Sequence, residues 1–122
     1  MDTEISKIIF DEDALEADVE LVSDGIKILC YFHPVETKSE IVSAVKNGLI
    51  AFDVKNIMVE DGVPIAIKTE DGFYSYYLRG VVVSKTQIKV NNILIDIGNM
   101  PGDVEVGMTI CCNCLRIDMC KS

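Results

Sequence analysis

The residues best suited to chemistry crowd the C-terminal end, where TICCNCLRIDMC (residues 109–120) holds four of the chain's five cysteines. Thiols so close together could ligate a metal, carry out redox chemistry, or serve as small apolar side chains on a strand. A zinc site needs about four nitrogen or sulfur ligands that converge tetrahedrally. The best set the sequence offers is Cys30, His33, Cys112 and Cys114. Its first pair is three residues apart, so on a strand the two side chains point to opposite faces unless the chain bends at Pro34. On the last strand, alternation puts Met108, Ile110, Cys112 and Cys114 on one face, and the apolar positions then change parity to Leu115, Ile117 and Met119. A β-bulge produces such a change. Free cysteine is among the most buried residue types and packs as a small hydrophobe, so Cys30, Cys112 and Cys114 are expected in the core without a ligand. Cys111 and Cys120 are expected to point outward or lie near the end, which makes them the more reactive thiols.

Other arrangements carry less chemistry. His33 is the only histidine, so any Cys-His or Ser-His catalysis would depend on it alone. Asp11, Asp13, Glu16 and Asp18 resemble a calcium ligand list, but counting from Asp11 puts Glu16 and Val22 where an EF-hand needs Gly and Glu. Phe73, Tyr74, Tyr76 and Tyr77 could stack bases, yet only Lys68, Arg79, Lys85 and Lys89 are near to form a basic groove. GNMPGD (98–103) lacks the P-loop lysine and the dinucleotide pattern and reads as a turn. The sequence predicts no catalytic residues, no cofactor and no dedicated metal site.

Charge is more informative. Formal net charge is −9, and residues 1–40 hold eleven acids against three bases, while residues 41–122 hold nine against eight. Residues 11–24, DEDALEADVELVSD, contain seven carboxylates and no base. Such a run repels phosphate and attracts cationic surfaces, which disfavours nucleic acid and favours a protein with a basic surface. The candidate contact residues are Asp11, Glu12, Asp13, Glu16, Asp18 and Asp24. With 49% hydrophobic residues, apolar surface is also left over for self-association. The longest uncharged stretches are too short to cross a bilayer, and the acidic N-terminus lacks the pattern of a secretory signal, so a cytoplasmic protein without disulfides is expected.

The elements that must position these residues are announced by paired-residue turns. Asp24-Gly25 suits a type I′ hairpin that faces Ser23 to Ile26, Leu21 to Ile28 and Val19 to Cys30. Asp61-Gly62 suggests a second hairpin pairing Met58 with Ile65, with Pro64 at a sheet edge. Asn91-Asn92 suggests a third, with Ile88, Val90, Ile93, Ile95 and Ile97 on one face. FYSYYLRGVVVS and the run from Gly107 to Cys120 read as further strands. Residues 38–48 fit helix or strand, with caps available at Thr37 or Ser39 and a stop at Gly48. Residues 1–18 form an acidic segment expected to be partly irregular.

Short strands with turns every 8–12 residues predict one all-β domain over residues 1–122, with at most one short helix. A small OB-like β-barrel is the first choice and a small β-sandwich the alternative. The stretches ILCYFHP (28–34), IGNMPGDVEVGM (97–108) and LRIDM (115–119) resemble a group of small uncharacterised bacterial proteins with an OB-like, β-rich domain. The resemblance implies that fold and no activity. The function expected is non-catalytic protein binding through an acidic face, of inhibitor or immunity type. The alternatives are a Cys/His metal or redox protein and a small-molecule-binding barrel.

Overall fold

The computed structural model describes residues 3–33, 35 and 37–120. It is an all-β protein with one short helix: β1 (Glu4–Asp11), β2 (Glu16–Ser23), β3 (Ile26–Phe32), α1 (Lys38–Ala44), β4 (Leu49–Phe52), β5 (Lys55–Val59), β6 (Ile65–Lys68), β7 (Tyr76–Val82), β8 (Gln87–Val90), β9 (Ile93–Asp96), β10 (Thr109–Cys114) and β11 (Arg116–Met119). The strands form one sheet in the order β1-β2-β3-β11-β4-β9-β8-β7-β10-β5, with β6 also paired to β7. The ladder is an open path and does not close into a barrel. It nevertheless curls strongly, because β10 passes into β11 through Leu115 alone although the two strands sit far apart in the order. β6 thereby comes beside β3, and the Leu29 amide of β3 donates to the Tyr76 hydroxyl of β7 at 2.7 Å.

Two of the three predicted hairpins form in the expected register. β2 and β3 pair Ser23 with Ile26, Leu21 with Ile28 and Val19 with Cys30 around Asp24 and Gly25, whose φ angles of 48° and 82° suit the turn. β8 and β9 pair Val90 with Ile93 and Ile88 with Ile95, and all five isoleucine and valine positions of that face are buried. The third hairpin does not form. β5 pairs with β10 and β6 with β7, so Met58 faces Cys111 and Ile65 faces Arg79. β10 and β7 lie between them, and Arg79 of β7 contacts the connection: its Nε donates to the Val63 carbonyl at 2.8 Å, and its guanidinium lies so close to Gly62 that a Cβ there would sit 2.6 Å from Cζ.

The N-terminal segment is more regular than expected. β1 pairs with β2 from Glu4 to Asp11, and among the described residues of this segment Thr3 and the turn at residues 12–15 lie outside the strands, with Asp11 Oδ1 accepting from the amides of Asp13 (3.0 Å) and Ala14 (3.2 Å). A register shift between Ile5 and Lys7 explains why alternation did not reveal this strand, since it returns Ile8 and Phe10 to the face of Ile5. Residues 38–44 are helical, and the Thr37 amide donates to Glu40 Oε1 at 3.1 Å, as a capping box requires. Among the described residues no helix is long and apolar enough to cross a membrane.

The inner face of the curled sheet is the core. Ile28, Leu78, Ile88, Ile95, Ile110 and Ile117 are fully buried there, together with Cys30, Cys112 and Cys114. The parity change after Cys114 is a corner rather than a simple bulge. The chain leaves the β7–β10 ladder, Leu115 turns out to solvent, and β11 joins β4 with Ile117 and Met119 inward.

Candidate functional site

Strand alternation places the outer residues of four neighbouring strands in one patch. Glu16 and Asp18 come from β2, Tyr31 from β3, Arg116 and Asp118 from β11, and Phe52 from β4. Asp18 and Asp118 flank Tyr31 in the ladders on either side, and Arg116 stands beside Phe52. The Tyr31 hydroxyl donates to Glu16 Oε2 at 2.6 Å, and the Tyr74 hydroxyl donates to Asp18 Oδ1. Arg116 grips Asp118 with two bonds of 2.7 and 3.0 Å, while its Cζ lies 4.9 Å from the Phe52 ring centre and 5.5 Å from that of Tyr31. The Tyr74 ring meets Tyr31 and Phe73 edge-on, and Phe73 remains 65% exposed.

The electrostatics of this face are uneven. Hydrogen bonding to Glu16, reinforced by burial, pushes Tyr31 up to about 12. Burial and the bond to Asp18 hold Tyr74 well above the usual tyrosine range. Burial raises Asp118 against the opposing pull of Arg116. A tyrosine hydroxyl satisfies a carboxylate without neutralising it, so three carboxylates share one cation here. Among the described residues neither Glu16 nor Asp18 has an ion-pair partner.

The six expected contact residues divide into two groups. Asp11, Glu12 and Asp13 are exposed in the turn next to Glu16 and Asp18. Asp24 is at the other end of β2, six residues from Asp18, a distance of about 20 Å along an extended strand. The sequence reading missed Tyr31, Tyr74, Phe52, Arg116 and Asp118 as part of the site. Arg116 and Asp118 carried a usable signal, because residues two apart on a strand share a face.

The cysteines do not converge. Cys30 is interior, its thiol 3.2 Å from the Val19 carbonyl to which it donates, while His33 is exposed and stacks on Tyr31. Burial raises Cys30 strongly and pushes Cys112 up to about 12 and Cys114 up to about 11, which disfavours their thiolate forms in this setting. Cys111 and Cys114 have the C-x2-C spacing of many zinc and redox sites, but the extended chain directs them to opposite faces. No group of three or more potential ligands that could hold a metal occurs among the described residues.

Cys111 corrects the expectation of a reactive outward thiol. It does point outward, yet it is only 1% exposed, because it lies between Met58 of β5 and Arg79 of β7 under a second polar group. There Tyr77 donates to Glu60 Oε2 at 2.6 Å and Arg79 Nη1 donates to the same oxygen at 2.8 Å. Both bonds draw Glu60 below the usual carboxylate range, and bonds to Cys111 and Glu60 hold Tyr77 well above its own. The four aromatics of residues 73–77 therefore make no common stacking surface. Tyr76 is buried, Tyr77 belongs to the Glu60 group, and Phe73 and Tyr74 join the acidic face.

A half-open groove of about 680 Å³ lies elsewhere, between α1, the start of β1 and the β8–β9 turn, with Val42, Val45, Leu49 and Ile93 among its walls. None of the patch residues lines it. Comparison with protein-family models, curated proteins and solved structures returns no match for the chain.

Proposed function

We propose that the protein is a non-catalytic binding module that meets a partner protein with a basic surface through the face of Glu16, Asp18, Tyr31, Tyr74, Arg116 and Asp118. The observation that carries this reading is the interleaving of uncompensated carboxylates with exposed aromatic edges on a rigid sheet. Rings supply desolvated contact area, carboxylates steer and select a cationic partner, and tyrosine and arginine are the residues that most often dominate binding energy. The turn acids Asp11, Glu12 and Asp13 extend the negative rim. The same field disfavours nucleic acid. An inhibitor or immunity-type role against a cationic enzyme or toxin fits this arrangement, because such partners associate by electrostatic steering.

The test is a charge reversal that leaves the core untouched. Glu16→Lys with Asp18→Lys is expected to abolish capture of basic proteins from the native lysate and to lower affinity for a lysine- and arginine-rich peptide by at least about tenfold. An unchanged set of captured proteins together with unchanged peptide affinity would refute the proposal.

A further inference from the structure

Tyr31 divides the acidic face into two flanks built from matching parts. On the β11 flank Asp118 stands level with Tyr31 in the ladder, and Phe52 supplies a second ring. Arg116 occupies this flank: its guanidinium lies against both rings and gives two hydrogen bonds to Asp118. On the β2 flank Asp18 stands level with Tyr31 from the other side, and the Tyr74 ring meets that of Tyr31 at 5.7 Å and an angle of 63°. Glu16, two residues from Asp18 on the same strand, shares its face. The Tyr31 and Tyr74 hydroxyls hold these carboxylates through Glu16 Oε2 and Asp18 Oδ1, while Glu16 Oε1 and Asp18 Oδ2 accept no hydrogen bond among the described residues. The β2 flank thus repeats the rings and carboxylate that surround Arg116, but none of the described cations pairs with its acids.

We propose, resting on the reading of this face as a binding surface for a basic protein, that its β2 flank takes an arginine side chain of the partner and selects arginine over lysine. A guanidinium is planar, weakly hydrated and forked, so it can lie along a ring while its N–H groups reach two carboxylate oxygens. An ammonium is compact and strongly hydrated, and it gives up more water to do the same. The chain's own cations beside these aromatics show the contrast. Lys68 Nζ lies 5.7 Å from the Phe73 ring centre and 5.8 Å from that of Tyr76, yet it donates to the Gly72 carbonyl at 2.8 Å and pairs with no described carboxylate. Arg116 joins two rings and a carboxylate at once. Because the tyrosine hydroxyls already hold Glu16 and Asp18, an incoming guanidinium meets acceptors that need little further ordering.

The test is equilibrium binding of two peptides of equal length and charge that differ only in arginine against lysine. The arginine peptide is expected to bind the wild-type chain about tenfold more tightly. Dimethylation of its arginines keeps the charge and blocks donors, and is expected to remove most of that advantage, a readout that needs no variant. Tyr74→Leu, shown to be folded by circular dichroism, is expected to bring the ratio of the two affinities below about threefold by weakening the arginine peptide alone. Equal affinity for the two peptides would overturn the selection of arginine and leave the basic-partner reading standing, whereas binding of neither would overturn both. An advantage that survives dimethylation, or a ratio unchanged in folded Tyr74→Leu, would also overturn the proposal.

Discussion

The molecule carries the same three kinds of side chain, tyrosine, carboxylate and arginine, on two outer faces and balances them differently. On β5, β7 and β10 a single carboxylate, Glu60, accepts from both Tyr77 and Arg79, so the group is closed and neutral and seals Cys111 beneath it. On β2, β3 and β11 Glu16, Asp18 and Asp118 each have their own partner, and those of Glu16 and Asp18 are uncharged hydroxyls. The neutral face is suited to touching another apolar surface. The acidic face keeps an unmet negative charge in a partly desolvated setting, where a cation from outside gains most.

The largest effect that can break the comparison acts on the strand under the neutral face. Gly80 sits where β7 approaches β8 so closely that a Cβ would lie 2.5 Å from the Lys89 carbonyl oxygen, and no side-chain rotation relieves a clash with backbone. Gly80→Ala is expected to cost about 3 kcal/mol in denaturant unfolding, with the acidic face affected only through the loss of fold. A cost below about 0.5 kcal/mol would show that the two strands can separate freely.

The next effect separates the faces by their thiols. Arg79→Ala removes both the partner of Glu60 and the tether to Val63, so the cover over Cys111 opens more often and its labelling by a thiol reagent is expected to speed up by about tenfold. Arg116→Ala on the acidic face is expected to leave Cys30 unlabelled, because Cys30 is on the interior side of β3. Equal labelling in the two variants would mean that neither arginine guards a thiol.

How much of this was legible in the sequence depended on whether the signal was local. The Asp24-Gly25 and Asn91-Asn92 hairpins were readable because turn residues and alternation agree over a dozen residues. The Asp61-Gly62 hairpin misled, because the strands on either side of it take long-range partners, β5 pairing with β10 and β6 with β7. Cys111 was read correctly in direction and wrongly in exposure, since its cover comes from β5 and β7 and not from its own strand. The densest acids were visible at once. The aromatics that give them a site arrive from β3, from β4 and from the residues before β7, and only the register brings them together.

The smallest effect is also the most direct comparison, because folding shifts one carboxylate on each face in opposite directions. Glu60 is held below its ordinary value of 4.5, so the folded state favours its charged form. Its contribution is present above pH 4.5 and is lost as pH falls through the lowered value. Asp118 is held above its ordinary value of 3.8, so the folded state keeps a proton that the unfolded chain has released. Its protonated form supports folding at acid pH, and that support is lost as pH rises from 3.8 through the raised value. Thermal unfolding across the acid range should therefore show the wild type gaining on Glu60→Gln as pH rises and losing ground to Asp118→Asn. Slopes of the same sign would mean that burial does not outweigh Arg116 at Asp118, and the acidic face would then be as well compensated as the neutral one. With that, the reason to expect an external cation would go.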